Sequence, residues 1–112
     1  MSARGWSCYT SRGQTAGDRL ATCLYQAAEL YLPGHRVRRD LTDGDPDLEE
    51  NFTLLHDALC AAALSENLFH DNAADVAFLE SYIGRQAIID LHVEGIINYV
   101  DEIYKQKWDF ID

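Results

Sequence analysis

Residues 85–107, RQAIIDLHVEGIINYVDEIYKQK, decide how the rest of this chain is read. Ile89, Val93, Ile96, Val100 and Ile103 recur at steps of four, three, four and three, the spacing of one helical face. Ile88, Leu91 and Gly95 form a second apolar flank. A helix that is apolar on two sides belongs between neighbours. Gly95 costs about 1 kcal/mol against Ala in such a helix, so it predicts a close backbone approach there. The stretch therefore reads as the central helix of a helical domain.

Working back towards the start, three more helices are expected. One covers about 73–83, with Val76, Leu79 and Ile83 inward. Another covers about 46–64. There Phe52, Leu55, Leu59 and Ala62 fall within about 40° of Leu48 at 100° per residue, and Asp45-Pro46 or Asp47 suits the start. The first covers about 17–32, where Leu20, Leu24, Ala27 and Tyr31 share a face and Pro33-Gly34 ends it. Residues 1–14 hold no period and read as an irregular arm, with Trp6 and Tyr9 available to pin it. Trp108, Phe110 and Ile111 either close an end of the core or form an interface. The expected fold class is all-α: a compact bundle of about four helices with an irregular N-terminal arm, one domain over residues 1–112.

Charge is the most informative number. Nine Lys and Arg face nineteen Asp and Glu, a net −10. Residues 1–39 hold six Arg against Asp18 and Glu29, or +4. Residues 40–112 hold three basic residues against seventeen acidic ones, or −14. The acidic part would repel a nucleic acid and attract a basic surface. Arg36, Arg38 and Arg39 can neutralise acidic groups of the same chain, of a second copy or of a partner. The longest apolar run, Ala58–Leu64, is far short of a membrane span. Met1–Gly5 is followed by no apolar segment of a secretory leader. Three separated cysteines read as reduced thiols, so a cytoplasmic setting is expected.

No motif names a reaction. Cys8, Cys23, Cys60 and the four histidines show no Cys-x-x-Cys, His-x-x-x-His or Glu-x-x-His spacing. Residues 43–47 imitate a calcium loop until Leu48 and Leu54 take the glycine and glutamate positions. No metal and no cofactor are expected. Asp90, Glu94 and Asp101 project to one side of the last helix, and Glu50 and Asp57 to one side of the second. Together they make a negative surface suited to docking on a basic protein or nucleoprotein complex and blocking it. Anti-CRISPR, anti-restriction, immunity and antitoxin proteins share this profile of size and charge by class analogy. The chain is therefore expected to be an inhibitor rather than an enzyme, with nucleic-acid mimicry as its device. These five carboxylates would bind the partner, and a homodimer is a further expectation.

Two other readings stay open. Arg85 and His92 lie two turns apart on one helix face. An Arg followed by a His at short spacing resembles the active-site pair of HEPN-type ribonucleases, which are small helical bundles. The resemblance implies His92 as acid or base and Arg85 as the phosphate-stabilising cation. Gln86 stands where such motifs place a small polar residue, and both residues also fit a packed helix flank. The remaining reading is a helical assembly subunit using Trp108–Ile111.

Overall fold

The computed structural model describes residues 3–11, 16–39, 48–49 and 52–108. Its elements in chain order are β1 (Trp6–Thr10), α1 (Ala16–Tyr31), β2 (Leu48–Glu49), α2 (Thr53–His56), β3 (Leu64–Asn67), α3 (Ala73–Glu80) and α4 (Tyr82–Trp108). The strands form one mixed sheet in the order β2-β1-β3. β1 pairs parallel to β2, Tyr9 facing Leu48, and antiparallel to β3, Trp6 facing Asn67 and Tyr9 facing Leu64.

The all-α expectation is thus corrected, and the arm is where it fails most. Residues 6–10 are the middle strand. Trp6, Ser7, Cys8 and Thr10 are all buried. A strand covered on both faces shows no alternation of apolar and polar residues, so the period-2 signal is missing. The expected helix over 46–64 is also replaced. Its described residues form β2, a single turn α2 and the extended β3. The shared 100° face of Leu48, Phe52, Leu55, Leu59 and Ala62 is a coincidence of spacing. Leu55 is buried while Leu59 is fully exposed. The register with β1 organises this segment instead.

α1 covers one face of β1 and lies along α4, and α3 leans on α4. The core is Trp6 and Cys8 from β1, with Ala21, Leu24, Tyr25, Ala27, Ala28 and Leu32 from the α1 side and Leu91 and Ala87 from α4. Tyr25 fixes the layers. Its ring meets Trp6 edge-on at 5.0 Å, and its hydroxyl donates to the Arg38 carbonyl at 2.6 Å and accepts from the Cys8 N–H at 3.0 Å. A Cβ on Gly95 would stand 2.7 Å from Leu24 Cδ2 and 3.0 Å from Leu24 Cα. The close approach predicted from sequence is therefore the α1–α4 crossing. Ser81 separates α3 from α4. Its hydroxyl donates to the Phe78 carbonyl at 2.6 Å and accepts from the Gly84 N–H at 2.9 Å, capping the start of α4.

Candidate functional site

Polar groups gather at the end of the sheet where β1 begins and β3 ends. Gly5 opens β1 at φ +107°, and a Cβ there would stand 2.4 Å from the Arg36 carbonyl oxygen. Only glycine accepts both the angle and the contact. This lets residues 36–38 run beside the strand: Trp6 N–H donates to the Arg36 carbonyl at 2.8 Å, and Arg38 N–H to the Trp6 carbonyl at 2.7 Å. Asp75, 5% exposed, ties the same end together. Its carboxylate accepts the Gly5 N–H at 2.9 Å and the Phe69 N–H at 3.1 Å. Asp75 is thus held inside and not presented on an outer face. It is an internal staple, positioned because Asn72 caps α3 by accepting the Asp75 N–H.

Glu66 lies on β3 opposite Ser7 of β1. Side chains alternate along a strand. Ser65 and its partner Cys8 face the helices, where Ser65 meets His92 of α4. Glu66 and Ser7 therefore face away from them. Glu66 is half-buried, and the Ser7 hydroxyl is buried with no hydrogen-bond partner. Such orphaned groups are rare in folded proteins. Two residues further on, Leu68 is buried with φ +71°. A bulky side chain in that region costs on the order of 1–3 kcal/mol, and such strain clusters at functional sites. Trp6 Nε1 holds the intervening Asn67 through its Oδ1 at 2.9 Å. A carboxylate on a rigid strand, flanked by an unsatisfied hydroxyl and a strained turn, is a candidate general base. Sequence reading left Glu66 just past the end of the helix expected over about 46–64. The apolar run Ala58–Leu64 ending in Ser-Glu-Asn also fits a short strand carrying a carboxylate at its end, and that reading would have found it.

A cleft of about 590 Å³ adjoins this end, lined by Arg4, His35, Arg36, Asn72, Ala74 and Asp75 among others. Its cations stand out in a chain of net charge −10. The rest of the basic cluster acts within the molecule: Arg39 pairs with Glu29, and the Arg38 guanidinium lies 5.2 Å from the centre of the Phe69 ring.

The residues singled out from sequence are dispersed. Arg85 donates to the Glu80 carbonyl at 3.1 Å. His92 Nδ1 lies 2.7 Å from the Ile88 carbonyl and Nε2 2.8 Å from Ser65 Oγ. The carbonyl can only accept, so the proton sits on Nδ1 and Nε2 accepts from the serine. Arg85 and His92 are not brought together. Asp90 accepts from Gln86 at 2.9 Å, and Glu94 accepts from the Tyr31 hydroxyl at 3.3 Å. Glu94 and then burial push the Tyr31 phenol above its ordinary range. Asp101 is exposed, and Asp57 pairs with its neighbour His56 at 2.8 Å. Glu50 lies outside the described residues. Among the described residues no group of three or more His, Cys, Asp or Glu side chains is placed to hold a metal ion. No described helix is long and apolar enough to cross a membrane.

No protein-family model matches the chain, and no curated protein does. Solved structures do. The N-acetylmuramoyl-L-alanine amidase from Clostridium difficile 630 superimposes with a TM-score of 0.74 at 20% identity, covering 89% of this chain and 50% of that one. The CwlD amidase from Clostridioides difficile, solved in complex with the GerS lipoprotein, gives 0.68 at 16% identity over 89% and 48%. The chain thus spans about half the length of these structures and shares their fold. This overturns the expectation of a non-enzymatic, all-helical inhibitor of the anti-CRISPR or antitoxin kind. It equally overturns the HEPN-like ribonuclease and the helical assembly subunit, because both required a pure helical bundle. A protein partner is in keeping with a fold seen in complex with a lipoprotein, whereas a basic nucleoprotein partner has no support. What the chain resembles, over nearly its whole length, is half of an amidase.

Proposed function

We propose that this chain forms part of an N-acetylmuramoyl-L-alanine amidase-type module that acts on cell-wall peptidoglycan, with Glu66 as its general base. The observation that carries the reading is the superposition on an amidase over 89% of the chain. Hydrolysis of an amide needs a proton taken from the attacking water and a proton given to the departing nitrogen. In this reading Glu66 serves both transfers. It takes the water proton as the hydroxide adds to the carbonyl carbon, and returns it to the L-alanine nitrogen as the carbon–nitrogen bond breaks. The Arg4–His35–Arg36 cleft offers a place for a carboxylate of the peptide. The half-length match means that further groups of a complete site, including any ligands for a metal-held water, would come from outside the described residues.

The test is release of new amino-terminal alanine from purified peptidoglycan. Wild-type protein is expected to release it, and Glu66→Gln to slow release by about 10²–10⁴-fold while the fold persists by circular dichroism. A folded wild-type protein that neither releases the amine nor sediments with insoluble peptidoglycan would overturn the proposal. Full activity in Glu66→Gln would remove Glu66 from it.

A further inference from the structure

At its Trp6 end β1 has a neighbour on each side. Trp6 and Ser7 pair with Asn67 and Glu66 of β3 on one side. On the other, Val37 bridges Trp6 in parallel. Paired residues send their side chains to one face, and successive residues alternate. Trp6 and Val37 both pack into the core on the helix side. Arg38, the next residue, therefore leaves on the opposite face, level with Ser7 and Glu66. The three form a row across the sheet: a guanidinium, a buried hydroxyl without a hydrogen-bond partner and a carboxylate. Neighbouring strands lie about 4.8 Å apart, which sets the Arg38 and Glu66 backbones about 10 Å from each other. Both residues are half-buried, and no ion pair joins them among the described residues.

We infer that Arg38 is a second catalytic residue of the Glu66 site, the cation that takes up charge from the carbonyl oxygen of the amide. The inference rests on the amidase reading. As water adds to the carbonyl carbon and its proton passes to Glu66, the carbonyl π pair moves to oxygen. The guanidinium donates to that oxyanion. The pair returns as the carbon–nitrogen bond breaks and the Glu66 proton passes to the departing nitrogen. Such a step is served by donors fixed beforehand, and Arg38 is fixed at both ends. Its N–H donates to the Trp6 carbonyl at 2.7 Å, and its carbonyl accepts from the Tyr25 hydroxyl at 2.6 Å. The guanidinium carbon lies over the Phe69 ring, 5.2 Å from its centre. A ring attracts the cation through its face, whereas the five N–H donors point outward in the guanidinium plane. The neighbouring cations are placed otherwise. Arg39 pairs with Glu29, and Arg36 lies further out along the cleft beside Asn72. Arg38 and Glu66 share one face at one end of the sheet. An amidase fold that leaves Glu66 open to substrate therefore leaves Arg38 at the same opening.

The experiment is steady-state hydrolysis of a soluble N-acetylmuramoyl-L-alanyl peptide, followed by the new amino-terminal alanine. Arg38→Gln is expected to lower kcat by about 10²–10³-fold, as loss of one oxyanion donor does. KM should change little, because the interaction belongs to the transition state. Arg38→Lys keeps the charge but not the fork, so it should recover part of the rate. Millimolar guanidinium should restore part of the rate to Arg38→Ala and none to Glu66→Gln, a rescue that a merely structural arginine would not show. Circular dichroism should find all four variants folded. Full kcat in Arg38→Gln, or a loss confined to KM, overturns the inference and leaves Glu66 standing. So does a lysine variant no better than glutamine together with no guanidinium rescue. A folded wild-type chain that releases no alanine overturns the amidase reading itself, and the role of Arg38 falls with it.

Discussion

The two sides of α4 carry the same residue types and differ only in what lies against them. Leu91, on the α1 side, is wholly buried, while Ile96, five residues on, keeps 49% of its surface exposed. Apolar periodicity therefore reports that a face is to be covered, and is silent on whether the same chain covers it. The comparison can be broken by truncation. Leu91→Ala should destabilise the folded chain by about 2–5 kcal/mol, as for other fully buried leucines. Ile96→Ala should stay within about 0.5 kcal/mol when unfolding is followed by urea. Equal losses at the two sites would mean that the bare face is covered within the folded chain.

Gly95 tests the packed side from the opposite direction, by adding volume. Gly95→Ala gains up to about 1 kcal/mol of helix propensity. Its new methyl group meets the Leu24 backbone at 3.0 Å as well as the movable Leu24 side chain. Gly95→Val cannot be absorbed by one rotamer and should cost about 1–3 kcal/mol through overpacking. Ile97→Val, on the open side, should be nearly silent in the same urea titration. If Gly95→Val is as stable as wild type, α1 and α4 do not approach as closely as described.

Cysteine reactivity extends the contrast beyond α4. Cys60 is exposed, while Cys8 and Cys23 are buried. Burial, reinforced by Glu102, pushes the Cys23 thiol up, so its reactive thiolate is scarcer as well as shielded. One thiol should alkylate rapidly in native protein and all three in urea. Rapid native labelling of Cys23 would show that α1 opens locally from α4.

Much of this was legible in the residues, and the failures have a physical pattern. α1 announces itself by its apolar face and its Pro33-Gly34 stop, and α4 by a period sustained over about four turns. Gly95 gave the crossing point correctly. β1 was illegible because a centre strand buried on both faces offers no alternation, and its five residues are too few to separate from a loop. β3 reads Leu-Ser-Glu-Asn, with no strand propensity of its own. It is extended because β1 supplies its backbone partners. Glu66 was missed with it, since a carboxylate at a strand end means little until the strand is known. The acidic stripe was read as a docking surface because charge is countable in sequence, whereas the Gln86 and Tyr31 partners of Asp90 and Glu94 appear only after folding.

The smallest effect lies on the border between the two sides of α4. Glu94 accepts a hydrogen bond from Tyr31 of α1, and its negative charge opposes loss of the phenolic proton. The Tyr31 pKa is therefore raised above its ordinary 10.0 in the folded chain. Unfolded protein releases this proton at lower pH than folded protein does. The contribution to stability is fully present below the unfolded value and is lost as pH rises through the folded one. Urea midpoints should thus fall on the alkaline side, and Tyr31→Phe should fall less steeply there. Glu94→Gln should bring the Tyr31 titration, followed by tyrosinate absorbance against the Tyr31→Phe background, back towards the ordinary value. If Glu94→Gln leaves that titration where it was, the two groups are not in contact. The α1–α4 seam would then end before Glu94, and the uncovered face of α4 would be wider still.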